Sequence, residues 1–127
     1  MSSKPAVSHY IGEHYGGGIV FSVSDTGQHG LVAAIKDQST GANWNDAKQI
    51  CSNYRGGGYA DWYLPSKDEL DLLYLQKGVV GGFGSDYYWS STAEYNSYDA
   101  WTQHFDSGFQ GYLGKYYPDF VRAVRAF

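Results

Sequence analysis

Residues 88–127 read YWSSTAEYNSYDAWTQHFDSGFQGYLGKYYPDFVRAVRAF. Within them, residues 100–106 alternate with period two. Trp101, Gln103 and Phe105 fall on one side and Thr102, His104 and Asp106 on the other. Such alternation marks a half-buried antiparallel strand, and the large aromatics assign the first set to the core and the second to the outside. Residues 108–120 follow neither a helical nor a strand period. They mix Phe109, Tyr112, Tyr116, Tyr117 and Phe120 with Gly108, Gly111, Gly114 and Asp119. A core stripe would show a period. An exposed aromatic patch marks an interaction site, because tyrosine supplies large contact area at low entropy cost. Trp89, Trp101, Phe105, Val121 and Val124 are the expected anchors of this tail. VRAVRAF at residues 121–127 starts as a strand but repeats in threes, which predicts a bulge or a shifted pairing there, with Arg122 and Arg125 pairing with Asp or backbone carbonyls.

The chain has 127 residues, enough for one domain. Residues 1–15 read as an N-terminal arm and residues 16–127 as the domain. Hydrophobic residues make up 43% and aromatics 18%, which excludes disorder, and 17 Gly with 13 Tyr favour sheets and loops over a helical bundle. Net charge is -4 with no basic run, which disfavours nucleic acid as a partner. Cys51 is the only cysteine, so no intrachain disulfide or thiolate metal set can form, and it is expected in the core. No signal-type apolar segment or membrane span is visible, so no membrane insertion is expected.

Upstream, residues 19–23 and 31–35 read as two strands joined by a turn at Asp25-Thr26-Gly27. A first helix follows Asn45 as its cap, with Ala47, Ile50, Cys51 and Tyr54 on one face. Ser66-Lys67-Asp68-Glu69 is a capping box that opens a second helix, with Leu70, Leu73 and Tyr74 inward and Gly78 as its C-cap. Residues 61–64 anchor that helix to the core, and residues 79–85 read as a loop. Two helices and many short strands make an α+β fold.

GGGIVFSVSDTGQHGLVAA, Trp44-Asn45-Asp46-Ala47, DWYLPSKDEL, YWSST and VRAVRAF occur in order from Gly16 to Phe127. Together they resemble a bacterial and viral family with a C-type-lectin-like fold, which includes the C-terminal domain of a collagen-like adhesin. The tail resembles the variable region of a protein diversified by a retroelement that rewrites adenines. Asn-type codons altered in this way cannot yield Lys, Gln, Glu, Met or Trp. The resemblance implies a variable region at about residues 95–120. Its implied diversified positions are Thr102, His104, Asp106, Phe109, Gly111, Tyr112, Leu113, Gly114, Tyr116, Tyr117, Asp119 and Phe120, with Tyr95, Asn96, Tyr98 and Asp99 beside them. Trp101, Gln103, Gln110 and Lys115, all of excluded types, fall between these candidates. The implied function is display of a diversified surface to a protein or glycan receptor on a host or neighbouring cell, from a virion or a cell surface. The other reading is a non-diversified adhesin of the same fold that binds one fixed surface glycan.

Other chemistry has weaker support. Trp44-Asn45-Asp46 matches a triplet near the sugar-binding calcium of lectins, but no Glu-Pro-Asn or Gln-Pro-Asp partner is present. Calcium takes about six to eight oxygens. No metal and no cofactor is therefore expected, and Asn45 reads as a helix cap. His29, His104 and Asp106 have no nucleophile motif or phosphate loop with them, so no catalytic residue is assigned and the chain is not expected to be an enzyme. A related oxidase of the same fold uses a cysteine pair that one cysteine cannot supply.

Overall fold

A computed structural model describes residues 8–127. Residues 1–7 of the N-terminal arm lie outside the described residues. The chain forms β1 (His14–Tyr15), β2 (Gly18–Val23), β3 (Gly30–Ala33), β4 (Ser39–Ala42), α1 (Trp44–Asn53), a 3-10 turn (Gly56–Gly58), α2 (Lys67–Leu75), α3 (Lys77–Val80), β5 (Tyr87–Ala93), β6 (Asp99–His104), β7 (Gln110–Gly114), β8 (Asp119–Val121) and β9 (Val124–Ala126). The architecture is α+β with two sheets and few helices, compatible with a C-type-lectin-like fold. One sheet has the order β1-β2-β3-β9 and the other β4-β8-β5-β6-β7.

The expected first hairpin forms, with Ile19 opposite Ala33 and a register shift between Val20 and Ser22. β1 pairs with β2 and so lies within the stretch read as an arm. The capping box is present. Ser66 Oγ accepts from the Glu69 amide at 3.2 Å, and Glu69 Oε1 accepts from the Ser66 amide at 2.9 Å. Leu70 and Leu73 are buried as the helical period predicts. They join Phe21, Tyr88, Phe105 and Val124 in one core cluster. Trp44, Cys51, Trp62, Trp89 and Val121 belong to the other. Cys51 is fully buried, and desolvation pushes its thiol up to about 12.

Several expectations need correction. Asn43, not Asn45, caps α1: its Oδ1 accepts from the Asp46 amide at 2.9 Å, and Trp44 is already helical. Gly78 does not close α2. That helix ends at Leu75, and Lys77–Val80 forms a third short helix that includes Gly78, because Val80 has an apolar site to fill against the core.

Of the two expectations for residues 121–127, the shifted pairing is the one that forms, and it moves the chain from one sheet to the other. β8 pairs with β4 and β5 in the second sheet, whereas β9 pairs with β3 in the first. Arg122 lies at the crossing. Its Nε donates to Asp37 at 2.9 Å, and its terminal nitrogens donate to Ala34, Gly81 and Gly82 carbonyls. Arg125 pairs with Asp61 at 2.7 Å and holds that carboxyl below the usual carboxylate range. Both arginines thus act in the structural role read from the sequence.

Candidate ligand-binding face

β6 lies between β5 and β7, and its register decides which tail residues face outward. Trp101 is opposite Tyr112 and Gln103 opposite Gln110, so these four share one face. Ala100, Thr102, Gly111 and Leu113 share the other. The expected alternation is present, but both faces are covered. On the first, Lys67 of α2 places its ammonium 3.6 Å from the centre of the Trp101 ring. Gln103 donates to Asp71 Oδ1 at 2.9 Å and to the Gly108 carbonyl at 3.1 Å. Gln110 donates to the Lys67 carbonyl at 2.9 Å. On the second, Thr102 is opposite Trp89, whose indole is fully buried and donates to the Ala42 carbonyl.

Thr102 is consequently buried at 1% exposure, with its hydroxyl donating to the Gly111 carbonyl. It does not point outward with His104 and Asp106, as the period-two reading had it. Trp101, expected in the core, is half-buried beneath Lys67. Asp119 is also buried, at 6% exposure, and its Oδ2 has no hydrogen-bond partner among the described residues. Desolvation, with the nearby charge of Asp86 as a smaller cause, raises its carboxyl to about 6. Leu113 packs on the Trp89 cluster and Phe120 on the Tyr88 cluster, with Phe120 and Tyr88 ring centres 5.2 Å apart. Gly111 and Gly114 are half-buried in β7.

The remaining candidates reach solvent along one margin of the second sheet. Tyr95 and Tyr98 stand on the β5–β6 connection, at 98% and 77% exposure. That loop is held by Asn96, whose Oδ1 accepts from the amides of Tyr98 and Asp99 and whose Nδ2 donates to Asp99. Tyr112 projects from the edge strand β7, its ring edge-on to Trp101 at 5.3 Å. β7 extends over roughly 17 Å of this margin, five residues at about 3.4 Å each. Tyr116 and Tyr117 stack at 4.8 Å on the β7–β8 turn. Asp106 and Phe109 are exposed at the tip of the β6–β7 hairpin, and His104, half-buried, packs edge-on to Tyr87.

The hairpin tip is fixed from below. The Tyr74 hydroxyl donates to the Asp106 carbonyl, and Lys77 Nζ donates to the Phe105 carbonyl at 2.6 Å. Gly108 has φ +82, and a Cβ there would lie 2.6 Å from the Tyr74 ring, so only glycine fits this turn.

At the opposite end, the strands meet the start of α1. The Trp44 amide donates to the Lys115 carbonyl, and the Lys115 amide donates to the Tyr98 carbonyl, both at 2.9 Å. Lys115 Nζ donates to the Ser97 carbonyl at 3.1 Å and sits 4.5 Å from the centre of the Trp44 ring. Asn43, Asn45, Asp46, Ser97, Tyr98, Lys115 and Tyr116 line an open cleft of about 480 Å³ there. Only Tyr98 and Tyr116 of these were candidate ligand residues. Asn45 and Asp46 read in sequence as a helix start in preference to a calcium-site triplet, and their meeting with Lys115 depends on a contact across the chain.

No group of three or more His, Cys, Asp or Glu side chains converges as metal ligands among the described residues. No helix among them is long and apolar enough to cross a membrane. The sequence model of the family described as the Lcl C-terminal domain matches residues 22–125. No curated protein matches the chain. The family match supports a variable, ligand-binding domain of adhesin type.

Proposed function

Because the chain belongs to the Lcl C-terminal domain family, we propose that it is a binding module without catalytic activity, whose residues 95–120 form a surface diversified by a retroelement to engage a protein or glycan receptor on a host or neighbouring cell. The carrier is a virion or a cell surface. One observation supports this reading: the excluded residue types of the tail hold the frame, whereas its exposed aromatics make at most ring contacts, although Thr102, Leu113, Asp119 and Phe120 of the candidate set pack with the frame. Gln103, Gln110 and Lys115, of types the codon rule excludes, each bond across to another segment, and Trp101 is clasped by Lys67. Tyr95, Tyr98, Phe109, Tyr112, Tyr116 and Tyr117 are all exposed. Exposed aromatics of this density supply binding energy at contact surfaces.

The test is sequencing of the encoding gene across its population. Substitutions confined to codons 95–120, with a near-copy of that segment carrying adenines beside a reverse-transcriptase gene, are expected. Variation spread evenly along the gene overturns diversification. A second reading, a non-diversified adhesin for one fixed glycan, gains from the cleft, because Asn43, Asn45 and Asp46 lie outside the candidate variable segment. That reading expects the same glycan to be bound by every natural variant.

A further inference from the structure

β7 is an edge of the second sheet, and its backbone faces two ways. At one end of the β6–β7 pairing the Lys115 amide donates to the Tyr98 carbonyl, and at the other the His104 amide donates to the Phe109 carbonyl, both at 2.9 Å. Antiparallel bonds recur at every second residue, so Thr102–Gly111 and Ala100–Leu113 carry the ladder between those ends. The amides of Gln110, Tyr112 and Gly114 and the carbonyls of Gln110 and Tyr112 then point away from β6. No turn, cap or side-chain bond reaches any of these groups among the described residues; the Gly114 carbonyl alone is taken, by the Tyr117 amide at 3.0 Å. The other sheet margins are short, shifted or closed. β1 has two residues, β4 shifts register against β8 between Ser39 and Ala42, and Val124 of β9 exchanges both its backbone bonds with Tyr63. Proteins blunt an open edge with Lys, Pro or a bulge. Residues 110–114, QGYLG, contain neither residue type and pair with β6 without a shift.

Given that this margin binds a receptor, as proposed above, we infer that β7 takes up an extended, basic segment of a receptor protein as an added strand. Donors and acceptors that recur every roughly 7 Å, two residues of strand, are matched by another extended backbone. Charge selects the segment. Residues 99–114 hold Asp99 at the open end of the β6–β7 hairpin and Asp106 at its tip, and no Lys or Arg. Basic residues at the two ends of an incoming segment meet those carboxylates. A second copy of this chain, paired antiparallel about Tyr112, brings its own Asp99 end against Asp106, and like charges brought together oppose that pairing. The outward amides and carbonyls stay the same whatever side chains stand at Phe109, Gly111, Tyr112 and Leu113. Diversification then changes which segment fits and leaves the backbone share of the affinity in place.

The experiment follows amide hydrogen exchange in the ¹⁵N-labelled full chain by NMR, alone and with short acetylated peptides that alternate Thr with Val, Ile or Tyr between terminal lysines. In the free chain the Gly111 and Leu113 amides should exchange slowly, and those of Gln110, Tyr112 and Gly114 fast. At least one peptide, at about ten times a millimolar dissociation constant, should slow the fast set. The same peptide N-methylated along both edges should not, and terminal Glu in place of Lys should weaken it. Tyr112→Pro removes one outward donor and leaves the β6–β7 ladder alone, since an open edge tolerates proline. It should bind the peptide about tenfold more weakly than Tyr112→Ala, which keeps that donor. Slow exchange of the outward amides in the free chain overturns the inference, as does the failure of every peptide to slow them. Undiminished binding of the N-methylated peptide also overturns it, and that control stands even where Tyr112→Pro does not fold. Protection of Tyr112 that grows with protein concentration overturns it too, by assigning the edge to a second copy. None of these outcomes alters whether gene variation is confined to codons 95–120, so the two proposals fail separately.

Discussion

Gln103, fully buried on β6, donates its side-chain amide to Asp71 on α2 at 2.9 Å, while its neighbour His104 accepts only from the amides of its own turn among the described residues. Two adjacent residues on one strand thus have opposite duties. Gln103→Leu leaves Asp71 Oδ1 and the Gly108 carbonyl without this donor, and should cost about 1–3 kcal/mol. His104→Ala gives up an edge contact with Tyr87 and two long hydrogen bonds, both 3.4 Å, from the Asp106 and Ser107 amides to its Nδ1, and should stay within about 1 kcal/mol. Urea unfolding of both variants measures the difference. Equal losses would remove the distinction between frame and display.

The same division sets what a randomised tail tolerates. Thr102 lies against Trp89 and Gly111, so Thr102→Tyr forces an overpacked sheet and should cost about 1–3 kcal/mol. Tyr95 and Tyr98 stand exposed on their loop, and Tyr112 and Tyr116 give up only ring contacts with Trp101 and Tyr117, so all four should accept almost any side chain within about 1 kcal/mol. A yeast-displayed library randomised over residues 95–120 and sorted for folding alone should therefore enrich small residues at position 102. It should show no preference at 95, 98, 112 and 116. Selection for one residue type at those four would assign them to the frame.

Legibility in the sequence follows how local each determinant is. The 18–33 hairpin, the Ser66–Glu69 capping box and the buried Leu70–Leu73 face rest on residues a few positions apart, and all three form. The burial of Thr102 rests on Trp89, thirteen positions away, through a register that the pattern of β6 alone does not contain. The division of residues 119–126 between two sheets rests on Arg122 meeting Asp37, 85 positions away. The cleft needs both the β6–β7 register and the docking of Trp44 on Lys115. What sequence spacing did carry was the separation of Gln103, Gln110 and Lys115 from the aromatic candidates.

Asp119 gives the protein a pH dependence of unusual sign. Its carboxyl titrates near 6 when folded and in the ordinary carboxylate range when unfolded. Between those values the folded state holds the extra proton, so the contribution is fully present below about pH 4 and is lost as pH rises through about 6. The shift of about two units corresponds to at most roughly 3 kcal/mol. Asp119→Asn should abolish this part of the profile and be more stable than the parent chain at pH 7.5, with less advantage at pH 4. Urea midpoints at four pH values decide it. Parallel profiles for the two proteins would show that Asp119 is ionised in the fold at no cost.

Cys51 offers a direct reading of global opening. Its thiol is fully buried and its pKa is pushed up to about 12, so neither access nor thiolate is available in the folded state. Modification by iodoacetamide at pH 8 should track the unfolded fraction in urea and be undetectable in buffer. Rapid labelling of the native chain would place Cys51 in a locally opening segment instead of the core.

Arg122 is the residue on which the two sheets depend. Its guanidinium uses Nε on Asp37 and its terminal nitrogens on the carbonyls of Ala34, Gly81 and Gly82, in addition to stacking 4.0 Å over Phe83. Asp37 also accepts from the Tyr88 hydroxyl, so loss of the guanidinium strands a carboxylate that the aromatic core has enclosed. Arg122→Met should cost about 3–5 kcal/mol, the scale for breaking a buried pair by removing one partner. Arg122→Lys keeps the charge but cannot reach four acceptors in one plane, so it should recover only part of that loss. The double variant Arg122→Met, Asp37→Asn removes the stranded charge and should be more stable than Arg122→Met alone. Thermal unfolding of the three proteins measures the coupling, and additive losses would show that the carbonyl contacts, not the ion pair, hold β8 and β9 apart.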